Sequence, residues 1–459
     1  MFEYLTFMDL IVPPIFIIII YFISNNIKSR NIENNPSYRY YLQGLFVKLA
    51  GSLAICLVYV FYYQGGDTLG YYHDCVCFSR AFVKSPFSII KITLVGIDAQ
   101  SFYAFDYSTE WPIYSYDAHA FWVDKLVWPL CFISFRSYIA TSLLLSFVCY
   151  QAIWRLYQTL VYEFPTLQRQ MAIAVFFIPS VVFWGSGILK DSITFASVAL
   201  FVSAFHSIIK IRHRIIMNTF FMFISSFLLI KIKPYIFFAL LPGTIIWITG
   251  FYLGQVQNKL LKASIAPLFI LISVATGYFV LGAIGNSLGD YRVDNVLNKA
   301  VSTQQDLKQD YYGGSSFDIG DFDPTISGIL SKAPIAINAA LFRPYLWEAY
   351  NPGMIVSGLE NFILLLLTVY LLIKIKVFNL FRLMFRHHFL FFSVTFSLFF
   401  AFSVGLTTSN FGSLVRYKIP AMPLFLASLF VISETYEKLK EEDRERFLLK
   451  EDKKPFVVS

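Results

Sequence analysis

Charged side chains are scarce in this sequence. They make up 14% of its 459 residues, whereas a typical soluble domain carries about 25%. Hydrophobic residues account for 57%, and the mean hydropathy is +0.61. Apolar stretches of about 20 residues, long enough to cross the hydrocarbon core of a bilayer, recur along the chain. These features exclude an ordinary soluble domain and predict a polytopic membrane protein. Its spans must be helices, because a backbone in lipid has to satisfy its own hydrogen bonds.

Cysteines and metal-binding patterns are also few. Of the five cysteines, only Cys75 and Cys77 lie outside the apolar stretches. A disulfide between residues so close together would be strained, so no disulfide framework is expected. His73 and Asp74 lie beside these cysteines, but the spacing matches no zinc motif. The sequence therefore predicts no metal site and no bound cofactor. Participation of a divalent metal in the reaction stays open as an alternative.

The apolar stretches predict an all-α fold of eleven transmembrane helices, near 10–26, 45–63, 127–150, 170–185, 192–209, 215–231, 235–253, 264–284, 356–374, 389–406 and 419–434. The fourth stretch is short, which indicates a broken or tilted helix. Residues 1–435 then form a single transmembrane domain with two large outer loops, at about 64–124 and 285–355. Residues 436–459 form a charged cytoplasmic tail, which is interpreted as a solvated helix end.

Lysine and arginine are distributed unevenly between the connecting segments. The short loops on one side are basic, for example "NNIKSRN" and "IKIRHR", whereas the long loops on the other side are rich in aspartate. The positive-inside rule then places the N-terminus outside and the C-terminus in the cytoplasm. Because this topology accounts for the net charge of +8, the lipid bilayer is an expected partner and nucleic acid is not.

Several cations lie at the outer ends of the predicted spans, on the side that the positive-inside rule depletes of them. They are Lys190, Lys231, Lys233, Arg343, Arg416 and Lys418, and all of them except Lys418 are assigned to ligand binding. Such a set favours an anionic ligand at the outer surface, and a diphosphate on a lipid carrier fits best. Arginine suits bidentate phosphate contacts and lysine suits point-charge contacts. The alternative is that these side chains only extend to the lipid headgroups.

The first outer loop begins with a candidate catalytic acid. Asp67 follows Gly65 and Gly66, which allow a sharp turn and a close approach to a ligand. A carboxylate there could deprotonate a sugar hydroxyl, or it could simply cap the turn. The rest of the loop mixes aromatic and acidic residues, in "SFYAFDYSTEWPIYSYDAHAFWVDK". This composition is typical both of sugar-binding surfaces and of interfacial aromatic belts.

Four short motifs carry a resemblance to a known family. They are "GGDTLGYY", "PSVVFWGSGILKDS", "FRPYLWEAYNP" and "NFGSLVRYKIPAMP". Together with the span layout, they resemble bacterial exopolysaccharide and O-antigen polymerase-like proteins, of the Wzy-type and EpsG-like groups within the wider GT-C glycosyltransferases. The resemblance implies a GT-C-like fold in the bacterial inner membrane. It also implies an enzyme that uses polyprenyl-diphosphate-linked sugars on the outer face, with polysaccharide export machinery as a partner.

The same resemblance assigns roles to individual residues. It matches Asp67 to the first-loop acid of the GT-C enzymes, and Arg343 and Arg416 to phosphate-contacting arginines. Only one acid stands in "GGDT", where many GT-C enzymes carry a pair, which puts a metal in doubt. Fixed cations are then expected to stabilise the leaving diphosphate. From the residues themselves, Asp67 is the candidate base, Asp191 and Glu348 are expected to hold the cations in place, and Asn410 is a further supporting residue.

Two other classes of function stay open. A flippase for lipid-linked oligosaccharides, or another transporter, would use the same ligand. Against it, the spans are nearly free of charge at their centres, whereas a path for a charged headgroup needs polar groups there. A non-catalytic partner in polysaccharide assembly is the other alternative.

Overall fold

The described part of the chain is built from helices. The structure is a computed structural model that describes residues 5–255, 257, 296–307, 316–323, 325–384 and 386–451. In chain order, the α-helices are α1 (Met8–Asn31), α2 (Tyr41–Leu57), α3 (Asp67–Lys84), α4 (Pro86–Leu94), α5 (Phe121–Ile133), α6 (Tyr138–Glu163), α7 (Gln168–Phe176), α8 (Pro179–Trp184), α9 (Lys190–His206), α10 (Ile215–Ile232), α11 (Pro234–Gln255), α12 (Val296–Leu307), α13 (Ile326–Ser331), α14 (Ala333–Phe342), α15 (Pro352–Ile375), α16 (Val377–Met384), α17 (His388–Thr407), α18 (Phe411–Tyr417) and α19 (Met422–Glu451).

Within these residues, eight helices are long and apolar enough to cross a membrane. They are α1, α2, α6, α9, α10, α11, α15 and α17, where α2 and α9 are lengthened by a π-helical turn at their C-terminal ends. The pair α18 and α19, which is bent by 67°, meets the same criteria when taken together, and it makes a ninth crossing if it is a broken span and none if it is a re-entrant loop. The prediction of an all-α polytopic membrane protein is thereby confirmed. The predicted span at 264–284 lies outside the described residues.

One predicted span needs correction. The stretch 127–150 is not one helix, because α5 ends at Ile133 and α6 begins at Tyr138. Phe135 and Arg136 adopt left-handed backbone conformations, and the Ser137 side chain caps α6 by accepting from the Ala140 N–H. Hydropathy does not detect this break, because apolar residues continue on both sides of it.

The short fourth stretch, 170–185, is broken as predicted. It forms α7 and α8, which are separated before Pro179. Glu360 of α15 stabilises the start of α8, since its carboxylate accepts from the Ser180 backbone N–H at 2.8 Å and from the Ser180 hydroxyl at 2.6 Å. A buried carboxylate thus satisfies backbone that the break would otherwise leave unpaired.

Two buried lysines stabilise other irregular backbone. Lys48 of α2 donates to the carbonyl of Gly185, in the turn between α8 and α9. Lys418 lies at the bend between α18 and α19 and donates to the Asn361 side-chain oxygen at 2.6 Å and to the Leu341 carbonyl. The expectation that the spans are nearly free of charge was therefore too strong. The buried charges are bound at helix breaks, where non-helical backbone inside a membrane needs partners.

The first of the two large loops that the predicted topology places outside, which keeps the name first outer loop, is largely folded. Helix α3 begins at Asp67, directly after Gly66, whose φ of 97° is one that glycine adopts readily. It packs against α5. The buried carboxylate of Asp74 accepts from the backbone N–H groups of Ile113 and Tyr114, both at 2.7 Å. The segment that follows α4 is thereby held close to the start of α3.

The orientation of the chain can be tested by cysteine labelling. All five native cysteines are buried, so a single introduced cysteine reports its own position. Ser327→Cys, in the second outer loop, should react with a membrane-impermeant maleimide in intact cells. His213→Cys, in the basic loop between α9 and α10, should react only after the membrane is opened, because the positive-inside rule places it in the cytoplasm. The reverse pattern would overturn the orientation.

Candidate functional site

Charged side chains from four separate segments meet at one end of the bundle. Asp67 is the first residue of α3, and Lys190 and Asp191 begin α9. Lys233 follows α10, and Arg416 lies near the end of α18. The negative charge of both aspartates suits its position in the first turn of a helix. We call these five residues the outer cluster, because the predicted topology places them on the outer side.

Asp191 is the centre of the outer cluster. Its side chain is 1% exposed. One carboxylate oxygen accepts from the Lys233 ammonium and the other accepts from Arg416 Nε, both at 2.5 Å. A buried charge needs a partner of opposite charge. Here the Asp191 carboxylate has two such partners, and each of the two cations has Asp191. Asp191 therefore holds two of the predicted diphosphate-binding residues in place.

Arg416 connects this buried centre to the surface. Its Nη2 contacts Asp67 Oδ2 at 2.6 Å, while its Nε is engaged by Asp191. The Arg416 side chain is 16% exposed and the Asp67 side chain is 44% exposed. The guanidinium is thus fixed on its inner edge by a buried carboxylate and covered on its outer edge by a solvated one. Only the outer partner can be exchanged without exposing a buried charge.

Lys190 extends the charged surface toward the first outer loop. Its ammonium contacts Asp117 Oδ2 at 3.1 Å. Partial burial by itself raises the pKa of Asp117, but the Lys190 charge and the backbone N–H groups of Ala120 and His119 outweigh it, so this pKa lies below its ordinary value. Asp117 is therefore ionised at neutral pH and neutralises Lys190.

Lys231 and Lys233 are held differently from each other. The Lys231 ammonium lies 5.9 Å from the centroid of the Phe227 ring. The backbone carbonyl of Lys231 lies 2.7 Å from His119 Nδ1. The Lys233 ammonium lies 4.2 Å from the centroid of the Tyr417 ring, in addition to its contact with Asp191. A ring face adds cation–π stabilisation to a lysine that is largely removed from water. Lys233 is therefore the more firmly positioned of the two.

Arg343 lies in a separate group of contacts. Its guanidinium is paired with Glu348, with Nε at 3.0 Å from Oε1, and it stacks over Phe317 at 4.6 Å and Phe411 at 5.3 Å. Phe411 begins α18 and Arg416 lies near its other end. The structure thus links the two arginines through one short helix and gives each its own carboxylate partner.

Asn410 positions that short helix. Its side-chain oxygen accepts from the backbone N–H groups of Gly412 and Ser413 at 2.9 and 3.2 Å, which caps α18. The neighbouring Ser409 carbonyl accepts from the Phe317 N–H at 2.8 Å. Asn410 therefore orients the helix that carries Arg416, and the second outer loop contacts the same point.

Exposed aromatic rings lie in the two chain segments that carry Asp117 and Arg343. Four lie in the first outer loop and two lie between α14 and α15: Tyr103, Tyr107, Trp111, Tyr116, Trp347 and Tyr350. Aromatic faces of this kind can stack on sugar rings or lie among lipid headgroups. The first of these two segments stands out in the sequence by its aromatic and acidic composition.

Sequence reasoning missed some members of the site. Asp117 and His119 lie within the aromatic stretch, but nothing in that stretch indicates that they contact Lys190 and the backbone at Lys231. Tyr417 is next to Arg416 in the sequence, yet its ring faces Lys233. Asp117 accepts from the backbone N–H groups of His119 and Ala120, just before α5 begins at Phe121. Because the predicted span began at residue 127, no such signal was apparent in the sequence.

Comparison of the chain with protein-family models, with curated proteins and with solved structures found no match.

Proposed function

We propose that this chain is a membrane glycosyltransferase of the polymerase type, acting on polyprenyl-diphosphate-linked sugars at the outer face of the bacterial inner membrane. One observation carries the proposal: a guanidinium is fixed by a buried carboxylate on one edge and covered by an exposed carboxylate on the other. The four motifs that resemble Wzy-type and EpsG-like proteins supply the substrate class. Three of them contain members of the outer cluster, and a GT-C-like fold belongs to the same proposal.

Ligand binding would begin with an exchange of partners. The outer cluster and Asp117 together contain three carboxylates and three cations, so the site is neutral before a ligand arrives. A diphosphate displaces Asp67 from Arg416 and Asp117 from Lys190, because both carboxylates are about half exposed and can turn into solvent. Asp191 keeps Arg416 and Lys233 in place during the exchange, since it is buried. The planar guanidinium then offers its free edge to two phosphate oxygens.

The transfer step follows from this arrangement. The hydroxyl oxygen of an acceptor sugar forms a bond to the anomeric carbon of the donor sugar, and the bond between that carbon and the diphosphate oxygen breaks. The electron pair of the broken bond stays on the diphosphate, where fixed cations stabilise the developing charge. The acceptor's hydroxyl proton passes to Asp67, which the exchange has released from Arg416.

The remaining predicted residues bind the ligand at the edge of the outer cluster. Lys231 contributes positive charge beside Lys233. Arg343 stacks on Phe411, at the opposite end of α18 from Arg416. It contacts the same lipid-linked glycan, and Glu348 orients its guanidinium. The exposed aromatic rings bind the sugar chain, and polysaccharide export machinery receives the product.

A flippase is the second candidate, because buried charges do occur within the spans. Lys48, Glu360 and Lys418 are each bound at a break in the helical backbone, and these contacts give them a structural role. A path for a charged headgroup needs polar groups along the whole span. The outer cluster instead gathers its charges at one surface, which favours transfer over transport.

Binding of the carrier tests the proposal. Polyprenyl diphosphate should raise the melting temperature of the purified protein more than polyprenyl monophosphate or polyprenol at the same concentration. A ligand present at a hundred times its dissociation constant stabilises by about 2.7 kcal/mol. Arg416→Gln should lose the preference for diphosphate, and the control Lys438→Gln, on the exposed tail, should keep it. Equal shifts with all three lipids would show that the lipid tail alone binds.

A further inference from the structure

A second group of side chains lies on α3, away from the outer cluster. His73 and Cys77 are four residues apart on this helix, so they share one face. The loop residue Glu110 reaches the same face, with Oε2 at 2.9 Å from His73 Nε2. Cys77 Sγ lies 3.8 Å from both ring nitrogens of His73. One nitrogen, one sulfur and one oxygen atom thus lie within 4.8 Å of one another.

These separations approach those of a tetrahedral zinc site. Zinc–sulfur bonds of about 2.3 Å and zinc–nitrogen or zinc–oxygen bonds of about 2.0 Å place ligand atoms about 3.3–3.6 Å apart in a tetrahedron. The observed separations of 2.9 and 3.8 Å lie on either side of that range. The third pair, Cys77 Sγ and the Glu110 carboxylate, lies within 4.8 Å, so binding would draw these two ligand atoms together by about 1 Å. The combination of thiolate and imidazole favours zinc over magnesium or calcium.

The surrounding residues orient the three candidate ligands. His73 Nδ1 lies 3.0 Å from Asp74 Oδ1. Asp74 is itself fixed by the backbone N–H groups of Ile113 and Tyr114. A histidine that donates Nδ1–H to a carboxylate presents the Nε2 lone pair to a metal, and this arrangement is the usual second shell of zinc sites. Arg80 binds Glu110 Oε1 at 2.5 Å, which leaves Oε2 directed at His73.

We propose that His73, Cys77 and Glu110 bind a zinc ion, with a water molecule as the fourth ligand. Cys77 binds as a thiolate and releases its proton to solvent. The ion joins α3 to the loop at 98–117, which also carries four of the exposed aromatic rings and ends at Asp117. Its role is to hold this loop against the helix that begins at Asp67. The proposal is independent of the transferase reaction, because none of the three ligands belongs to the outer cluster.

Metal content tests this site directly. The full chain, purified without a polyhistidine tag and treated with a chelator, should take up one zinc ion per chain after exposure to zinc and desalting. With cobalt in place of zinc, a thiolate-to-cobalt charge-transfer band should appear. Cys77→Ser should lose this band, and Cys75→Ser, which changes a buried thiol two residues away, should keep it.

Glu110→Gln is a second variant, which tests the site even if Cys77→Ser fails to fold. Glu110 is half exposed, so the fold should survive, while zinc affinity should fall at least tenfold because a charged ligand is lost. Uptake well below one ion per chain by the wild type would overturn the proposal. A cobalt band that persists in Cys77→Ser would do the same. In either case the group is an ion-paired histidine beside a buried thiol.

Discussion

Arg416→Lys should reduce polymer formation by about a hundredfold or more, which is the usual effect of removing one preorganised charge-stabilising group. Arg416 bridges Asp191 and Asp67 in the structure and offers a planar edge to the diphosphate. A lysine ammonium is a compact charge that cannot keep the contact with Asp191 and still bind two phosphate oxygens. Polymer length and amount, measured in cells whose own copy of the gene is deleted, check this result.

The amount of protein separates a catalytic effect from a folding effect. With lysine at position 416, Asp191 keeps a cationic partner, so the level of protein in the membrane should stay near normal. Arg416→Ala takes one of two cations from a buried carboxylate and should lower that level. Because Lys233 still pairs with Asp191, the loss of stability should be smaller than the roughly 3–5 kcal/mol of a buried charge with no partner. Arg212→Lys, in the exposed inner loop, is the matched control and should be active. Full activity of Arg416→Lys would exclude Arg416 from the diphosphate site.

Asp67→Asn should abolish polymer formation to a similar extent while lipid-linked precursor accumulates on the outer leaflet. Asparagine keeps the size of the side chain and an oxygen that can still accept from Arg416 Nη2. It lacks the basicity needed to take the acceptor's proton. The measurement is the amount of lipid-linked glycan in each leaflet, made with a membrane-impermeant glycosidase.

Other outcomes of this variant identify other roles. Near-normal polymer would show that Asp67 only caps the turn or holds Arg416. Precursor on the inner leaflet would identify a flippase. The comparison variant is Asp117→Asn, which weakens the half-exposed pair with Lys190. Because exposed pairs contribute about 1 kcal/mol or less, its activity should fall less than tenfold.

Much of the fold could be predicted from apolar length alone. A stretch such as Met8–Asn31 has to form a helix in lipid, whichever helices it packs against. The break at 134–137 could not be predicted in this way, because it depends on two left-handed backbone conformations and a serine cap within continuous apolar sequence. Nor could the functions of Lys48 and Lys418, since each satisfies a carbonyl that is distant in sequence.

The candidate site was predictable as a list of residues, but its pairings were not. The unexpected presence of cations at outer span ends indicated Lys190, Lys233 and Arg416. Asp191 contacts two of these, at separations of 42 and 225 residues along the chain, and no local pattern carries such information. Arg343 differs, because its partner Glu348 is only five residues away in the chain and was expected from the sequence to hold a cation in place.

The transfer reaction itself tests the central claim most directly. Purified protein would be reconstituted in vesicles together with lipid-linked glycan taken from cells that lack this chain. The glycan should become longer, and mass spectrometry should detect one free polyprenyl diphosphate for each new glycosidic bond. The account would be contradicted if the glycan kept its length and crossed the bilayer intact, or if no polyprenyl diphosphate were released.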